Sequence, residues 1–278
     1  MEKADAQKMP TGIHSFDPVL GGGVPPGSVV LLLGGVGAGH REFAYSSVLN
    51  LAKEKENPSP RQGLIIPEEI VYVTVTKLSE SIISEIQHSF KDGADRDLKS
   101  GITFIDLSEQ YFESSVVPPD WYRSGDLMDR YRNKRHEEAS SIIGVLSSKL
   151  TEIPEKSLIV VDSLTEIATA HSSPSEWKEF ISLLRGLERV AKKWNSTIYF
   201  ILTNNILQDH QNAEIADCAD AVLTFQWEQS SAQKRQRTMF IEKFREIMPH
   251  LEENDLVKFA VRITAESGFE VSNIREII

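Results

Sequence analysis

A short apolar run over residues 28–33 ends in the stretch Gly34-Gly35-Val36-Gly37-Ala38-Gly39-His40-Arg41, and a helical pattern follows over residues 41–54. Strand, glycine turn and helix in that order constrain the fold more than any other feature. Such a turn aims backbone N–H groups, backed by the positive end of the helix, at an anion. The pattern G-x-x-x-x-G-K-S/T uses this geometry to cradle phosphates, with Lys on the outer phosphates and a hydroxyl on Mg²⁺. The spacing from Gly34 to Gly39 is kept, but His40 stands at the Lys position and Arg41 at the Ser/Thr position. An unperturbed imidazole titrates near ~6.5, so His40 is mostly neutral at neutral pH, and it is shorter than Lys. Arg41 has no oxygen for Mg²⁺. Its forked donors either pair phosphate directly, replacing part of the metal's charge, or turn outward from an inactive site.

The rest of the chain alternates. Residues 70–76 (IVYVTVT) are rich in β-branched side chains and read as a strand. A helix is expected from Ser79 as its N-cap, then a strand over 101–107. Residues 108–124, with Pro118, Pro119, Trp121 and Tyr122, read as an irregular surface excursion, and 126–150 as a strongly charged helix. Trp121 and Tyr122 serve either a partner surface or as partly buried anchors. A strand over 157–162, a helix over 175–194 and a strand over 197–203 follow. Segments 219–227, 237–247, 256–264 and 269–271 then read as strands with no long helix between them. Alternating β and α units followed by a β tail predict an α/β fold: a mostly parallel twisted sheet flanked by helices, extended at its C-terminal end by antiparallel hairpins. Residues 1–9 are expected to form a flexible tail and 10–278 a single domain.

The 278 residues are 40% hydrophobic and 26% charged, the balance of a soluble globular protein. The longest apolar runs, such as 29–33 and 158–161, are far short of the ~20 residues that span a bilayer, so no membrane partner is expected. The single cysteine, Cys218, excludes an internal disulfide framework and suits a reducing, cytoplasmic setting; it reads as a small core residue rather than a nucleophile. Net charge is −11, which disfavours nucleic acid unless a local basic face overcomes the repulsion. Lys234, Arg235 and Arg237 are the dense basic cluster, either a solvated hairpin tip or such a face. The seven histidines show no metal-ligand spacing.

A second site motif is SLIVVDS, residues 157–163. An apolar strand ending in Asp162 suits the carboxylate that holds Mg²⁺ at a phosphate site; the alternative is a buried strand whose Asp caps the next segment.

Together with the glycine loop, Thr11-Gly12-Ile13, Phe16-Asp17, Leu20-Gly21-Gly22-Gly23 and Pro26-Gly27-Ser28 resemble the RecA superfamily, and within it the archaeal and cyanobacterial KaiC-like and RadA-like branch of P-loop ATPases. The resemblance continues through Asp162, Cys218-Ala219-Asp220-Ala221-Val222-Leu223 and Lys243-Phe244-Arg245, covering roughly residues 10–270. It implies a RecA-like P-loop fold and ATP or ADP as ligand at Gly34, Gly35, Val36, Gly37, Ala38, Gly39, His40, Arg41 and Asp162. It also implies self-association, or assembly with a related subunit, in rings or filaments with nucleotide at the interface. Lys243 and Arg245 match the family's K-x-R pair, which contacts a neighbour's outer phosphates; otherwise they are an exposed charged strand face. Asn204 matches a nucleotide-sensing polar position. Residues 206–217 correspond to the recombinases' DNA-contacting loop and contain no Lys or Arg. The family's catalytic Glu pair follows V-T-F, whereas Val73-Thr74-Val75 is followed by Thr76 and Lys77; Glu80 is nearby on the next helix. A hydroxyl and a cation cannot act as a general base. No catalytic residue and no metal site is therefore assigned, and Mg²⁺ is disfavoured. The expected function is a regulatory or scaffold pseudo-ATPase, for example in signal transduction. The alternatives are an active ATPase or autokinase using Arg41 with trans Lys243 and Arg245, and a recombination or repair accessory protein.

Overall fold

The strongest apolar runs become central strands because both of their faces find a core. The protein is described by a computed structural model over residues 7–57, 63–91, 98–113, 115–122, 141–229 and 235–274. Its elements begin β1 (Val29–Gly34), α1 (His40–Glu56), β2 (Ile70–Thr74), α2 (Ser79–Ser89), α3 (Leu98–Gly101), β3 (Thr103–Asp106), α4 (Ser108–Glu113) and a 3₁₀ turn (Pro119–Trp121). Next come α5 (Ile142–Thr151), β4 (Leu158–Asp162), α6 (Leu164–Ala170), α7 (Pro174–Trp194), β5 (Thr197–Thr203) and α8 (Asp209–Asp217). The tail is β6 (Ala221–Gln229), β7 (Arg235–Phe244), α9 (Met248–Glu253), β8 (Lys258–Thr264) and β9 (Gly268–Asn273).

The strands form a nine-stranded sheet in the order β3-β2-β4-β5-β1-β6-β7-β8-β9. It is parallel from β3 to β6 and antiparallel from β6 to β9. Alternation along β1 sends Val30 and Leu32 into one core with α1 and α2, and Val29 and Leu31 into a second core with α5, α6 and α7. Parallel order leaves the carboxyl ends of β1, β2, β4 and β5 along one edge, where open α/β sheets bind ligands.

The sequence motifs before β1 are structural. Thr11 donates to Asp17 Oδ1 through its amide (2.7 Å) and its hydroxyl (2.6 Å). Phe16 meets Phe43 and Phe259 edge-on in the core. Asp220 ties the start of β1 to the tail: its Oδ2 accepts from the Val29 amide at 3.0 Å, and its Oδ1 from Lys192 at 2.9 Å.

Several expectations need correction. Ser79 is not the cap of α2; Leu78 precedes the helix, and Asp106 Oδ2 from β3 accepts the Ser79 amide at 3.1 Å. Segment 108–124 is not wholly irregular, since it holds α4 and the 3₁₀ turn. Its two aromatics separate: Tyr122 is buried against Phe112, whereas Trp121 is exposed. Of the charged helix expected over 126–150, only the end lies in α5; residues 126–140 fall outside the described residues. The stretch aligned with the DNA-contacting loop contains α8. The tail boundary also moves, because Met9 is fully buried and bridges to Val24, and Lys8 bridges to Leu64; residues 1–6 are outside the described residues. No described helix is long and apolar enough to cross a membrane.

Candidate functional site

The glycine loop leaves β1 at Gly34 and enters α1 at His40. Asn204, at the end of β5, donates its amide to the Gly34 carbonyl at 2.9 Å, and Gly35 donates to Phe225 O at 3.2 Å. Gly37 (φ 70°) and Gly39 (φ 112°) adopt left-handed backbone that few other residues tolerate, which is how the loop doubles back over the helix. Among the described residues, the amides of Gly37, Gly39, His40 and Arg41 have no protein partner. They are the helix-terminal donors that an anion satisfies. Val36 at the loop tip is 86% exposed.

His40 does not face the ligand as a Lys would. It is buried, and a Cβ built on Gly34 would lie 2.2 Å from its Nδ1, so the ring occupies the space that this glycine vacates. Neither ring nitrogen has a hydrogen-bond partner. Burial first, and the neighbouring Arg41 charge second, lower its pKa to about 4. It is a neutral imidazole lining a cavity of about 210 Å³ with Gly37, Arg41, Tyr45 and Glu85.

Arg41 turns toward β4. Its Nε donates to Asp162 Oδ1 at 3.0 Å, and the Tyr72 hydroxyl donates to Asp162 Oδ2 at 2.8 Å. Burial works against the Arg41 charge, but Asp162 more than offsets it and raises the guanidinium pKa. Burial and then the Asp162 charge push Tyr72 well above the usual phenol value, so it remains a donor. Both Asp162 oxygens are engaged, and the next helix α6 receives no side-chain cap from Ser163. Asp162 thus faces the site, paired to a guanidinium. Its peptide bond to Ser163 is cis.

At the family's carboxylate positions, Lys77 pairs with Glu85 Oε1 at 2.6 Å, and Tyr45 donates to Glu85 Oε2 at 2.7 Å. Burial would raise the Glu85 pKa, yet the hydrogen bonds from Lys77 and Tyr45 hold it low. Glu80 turns away, exposed, to Lys99. Besides Asp162, the site thus has a carboxylate from α2, Glu85, which lines the loop cavity. Sequence reasoning missed it because it lies on the second turn of α2, beyond the strand end where the family's pair sits.

Lys243 and Arg245 do come together. Lys243 donates to Ala216 O at 3.0 Å and Asp217 O at 3.3 Å. Arg245 pairs with Glu188 and, at 3.2 Å, with Asp220. Both are held at the end of α8 by their own chain. Asn204 turns its Oδ1 to the Asn205 amide at 2.9 Å. Cys218 is a buried free thiol, as expected.

The hairpin β6–β7 reaches the loop from the other side. Arg237 Nε donates to Gly37 O at 2.9 Å. Arg235 and Arg237 place their guanidinium carbons 4.2 and 4.3 Å from the centre of the Trp227 ring. The basic cluster is thus not a freely solvated tip at these two positions; Lys234 lies outside the described residues. A larger cavity of about 530 Å³, lined by His14, Asn50, Lys53 and Phe90 among others, shares no lining with the loop. Among the described residues no group of His, Cys, Asp or Glu could hold a metal ion.

The donor set fits an anion. Unpartnered amides and the Arg41 guanidinium suit phosphate, whereas residue 41 lacks a hydroxyl and Asp162 faces a guanidinium charge that repels a cation, so the set fits a hydrated Mg²⁺ poorly.

The family model for the KaiC ATPase matches residues 9–274. A crystal structure of a KaiC-like protein from the hyperthermophilic archaeon Pyrococcus horikoshii OT3 superposes with a TM-score of 0.60 at 20% identity, covering 96% of this chain and 99% of that chain. At that identity the likeness concerns the fold. No curated protein matches.

Proposed function

The chain belongs to the KaiC ATPase family, and we propose that it is a catalytically weak or inactive member. It acts as a regulatory or scaffold subunit that holds ATP or ADP without Mg²⁺ and assembles with itself or with a related subunit. The observation that carries this reading is the 3.0 Å ion pair from Arg41 to Asp162, a guanidinium standing where the family pattern calls for a hydroxyl and a metal.

A nucleotide supplies the polyphosphate charge to which the loop responds. The amides of Gly37, Gly39, His40 and Arg41 would hold it, with the remaining Arg41 N–H groups as counter-charge. His40, neutral and buried, contributes no charge. Glu85, tied to Lys77 and Tyr45, is poorly placed to activate water. Losing base, ammonium and metal together removes the electrostatic terms that usually dominate such rates.

Assembly is supported by the exposed apolar side chains. Val36, Leu78 and Ile206 follow the carboxyl ends of β1, β2 and β5, on the side of the glycine loop, and Val116 and Trp121 are exposed in the segment after α4. A second copy of this fold, or a related subunit, is the occupant, with Lys243 and Arg245 offered to its phosphates. The Arg245 side chain is 45% exposed although paired, so it can exchange partners.

A sensitive phosphate-release assay on purified protein and on Arg41→Ala tests the catalytic half. Both should stay at background. Turnover that survives purification and vanishes in Arg41→Ala would favour the active ATPase or autokinase instead. Light scattering with and without ATP tests assembly; a monomer under all conditions would contradict it.

A further inference from the structure

The β6–β7 hairpin carries groups that the reading above leaves without a task. Trp227 and Arg237 are cross-strand partners, and Arg235 pairs opposite Gln229 two positions along, on the same face of the strand. Among the described residues neither Arg235 nor Arg237 pairs with a carboxylate, although the chain carries a net charge of −11. Both instead lie against one indole, and only the Nε of Arg237 is spent, on the Gly37 carbonyl. The Trp227 Nε1 lies 3.9 Å from where a Gly37 Cβ would project, and it too has no acceptor among the described residues. These donors gather at the tip of a loop whose own amides are open, and the Arg237 Cδ lies 3.7 Å from where a Gly39 Cβ would project.

The charges fit the deficit. An ordinary phosphate loop sets one charge from Lys and two from Mg²⁺ against a triphosphate. Here Arg41, on the β4 side of the loop, and Arg235 and Arg237, on the β6 side, supply the same total. An Asp faces the site in both cases and cancels from the comparison.

We propose that Trp227, Arg235 and Arg237 form a cis phosphate clamp, closing the glycine loop from the side opposite Arg41 on the phosphate chain of a nucleoside triphosphate bound without metal. The inference rests on the nucleotide-site reading above. Stacking on the indole holds the two guanidinium planes in place, which lowers the entropy lost when they fork onto phosphate.

The test is calorimetric titration of the full chain with ATP and, separately, with inorganic tripolyphosphate, both in EDTA. Arg235→Ala and Arg237→Ala should each weaken both ligands about tenfold or more, the scale of a lost charge-assisted hydrogen bond. Arg237→Ala also removes the bond to Gly37, so Arg235→Ala, which touches only the indole, is the decisive variant; Arg237→Lys should recover part of the loss. If wild type binds, Arg41→Ala weakens it and Arg235→Ala does not, the clamp is overturned and the nucleotide site stands. If ATP weakens while tripolyphosphate does not, the cluster contacts the nucleoside and the clamp is again overturned. If the variants lose a single-stranded oligothymidylate but keep ATP, the hairpin is a nucleic-acid contact instead. If wild type binds neither phosphate ligand, with or without Mg²⁺, the nucleotide-site reading fails as well.

Discussion

Replacing His40 with Leu should flatten the acid side of the stability profile. The imidazole is 3% exposed, makes no hydrogen bond and has a folded pKa near 4, against about 6.5 in an unfolded chain. The folded value is the lower one, so between the two the unfolded chain binds more protons and stability rises with pH. Below about pH 4 both states are protonated and the full penalty is present; above pH 6.5 it is gone. Linkage across that window makes the wild type lose about 2 kcal/mol from this group between pH 7 and pH 5. Other groups titrate there as well, so the quantity to read is the difference between wild type and His40→Leu. Urea unfolding of both proteins at pH 7 and pH 5 gives it. The wild type should lose about 2 kcal/mol more than the variant. Equal losses in the two proteins would mean that His40 is solvated or hydrogen-bonded, and the account of the ring under Gly34 would be wrong.

Three further outcomes follow from the same geometry. Gly34→Ala places a Cβ 2.2 Å from His40 Nδ1 and should destabilise by about 1–3 kcal/mol, seen in thermal melts, with partial recovery in the double variant with His40→Ala. Tyr72→Phe leaves one oxygen of buried Asp162 without its donor and should cost about 1–3 kcal/mol in urea unfolding; no loss would show that water replaces the phenol freely. The Cys218 thiol, buried and with its pKa raised chiefly by that burial, should react slowly with a thiol reagent in the folded protein and rapidly in denaturant, and fast labelling of native protein would contradict its place in the core.

Much of the fold was legible in the sequence. Residues 197–203 coincide with β5, and the glycine loop sits between β1 and α1 as its context demanded. Continuous apolar runs mark strands buried on both faces, and that signal survives without tertiary information. Short helices did not stand out. α4, α6 and α8 span only two turns or so, too few for a 3.6-residue period to emerge. The cap of α2 was misplaced because its acceptor, Asp106, comes from another strand.

The site was legible in its parts and not in its wiring. His40, Arg41 and Asp162 were identifiable by spacing. That Arg41 pairs with Asp162 depends on a contact between residues 121 apart in sequence, across the neighbouring ends of β1, β5 and β4. Sequence left open whether Arg41 turned inward or outward, since a rotamer is chosen by what lies nearby. Glu85 and Arg237 reach the loop from α2 and β7 by the same kind of through-space approach, and no local pattern announces them.

The account turns on Arg41 taking the metal's place beside Asp162. Its most direct test is the ATP affinity of wild type and of Arg41→Ser, each measured in EDTA and in Mg²⁺. Wild type should bind equally well in both, while the serine variant, with its loop hydroxyl restored, should bind better in Mg²⁺. A strict Mg²⁺ requirement in wild type would contradict the account.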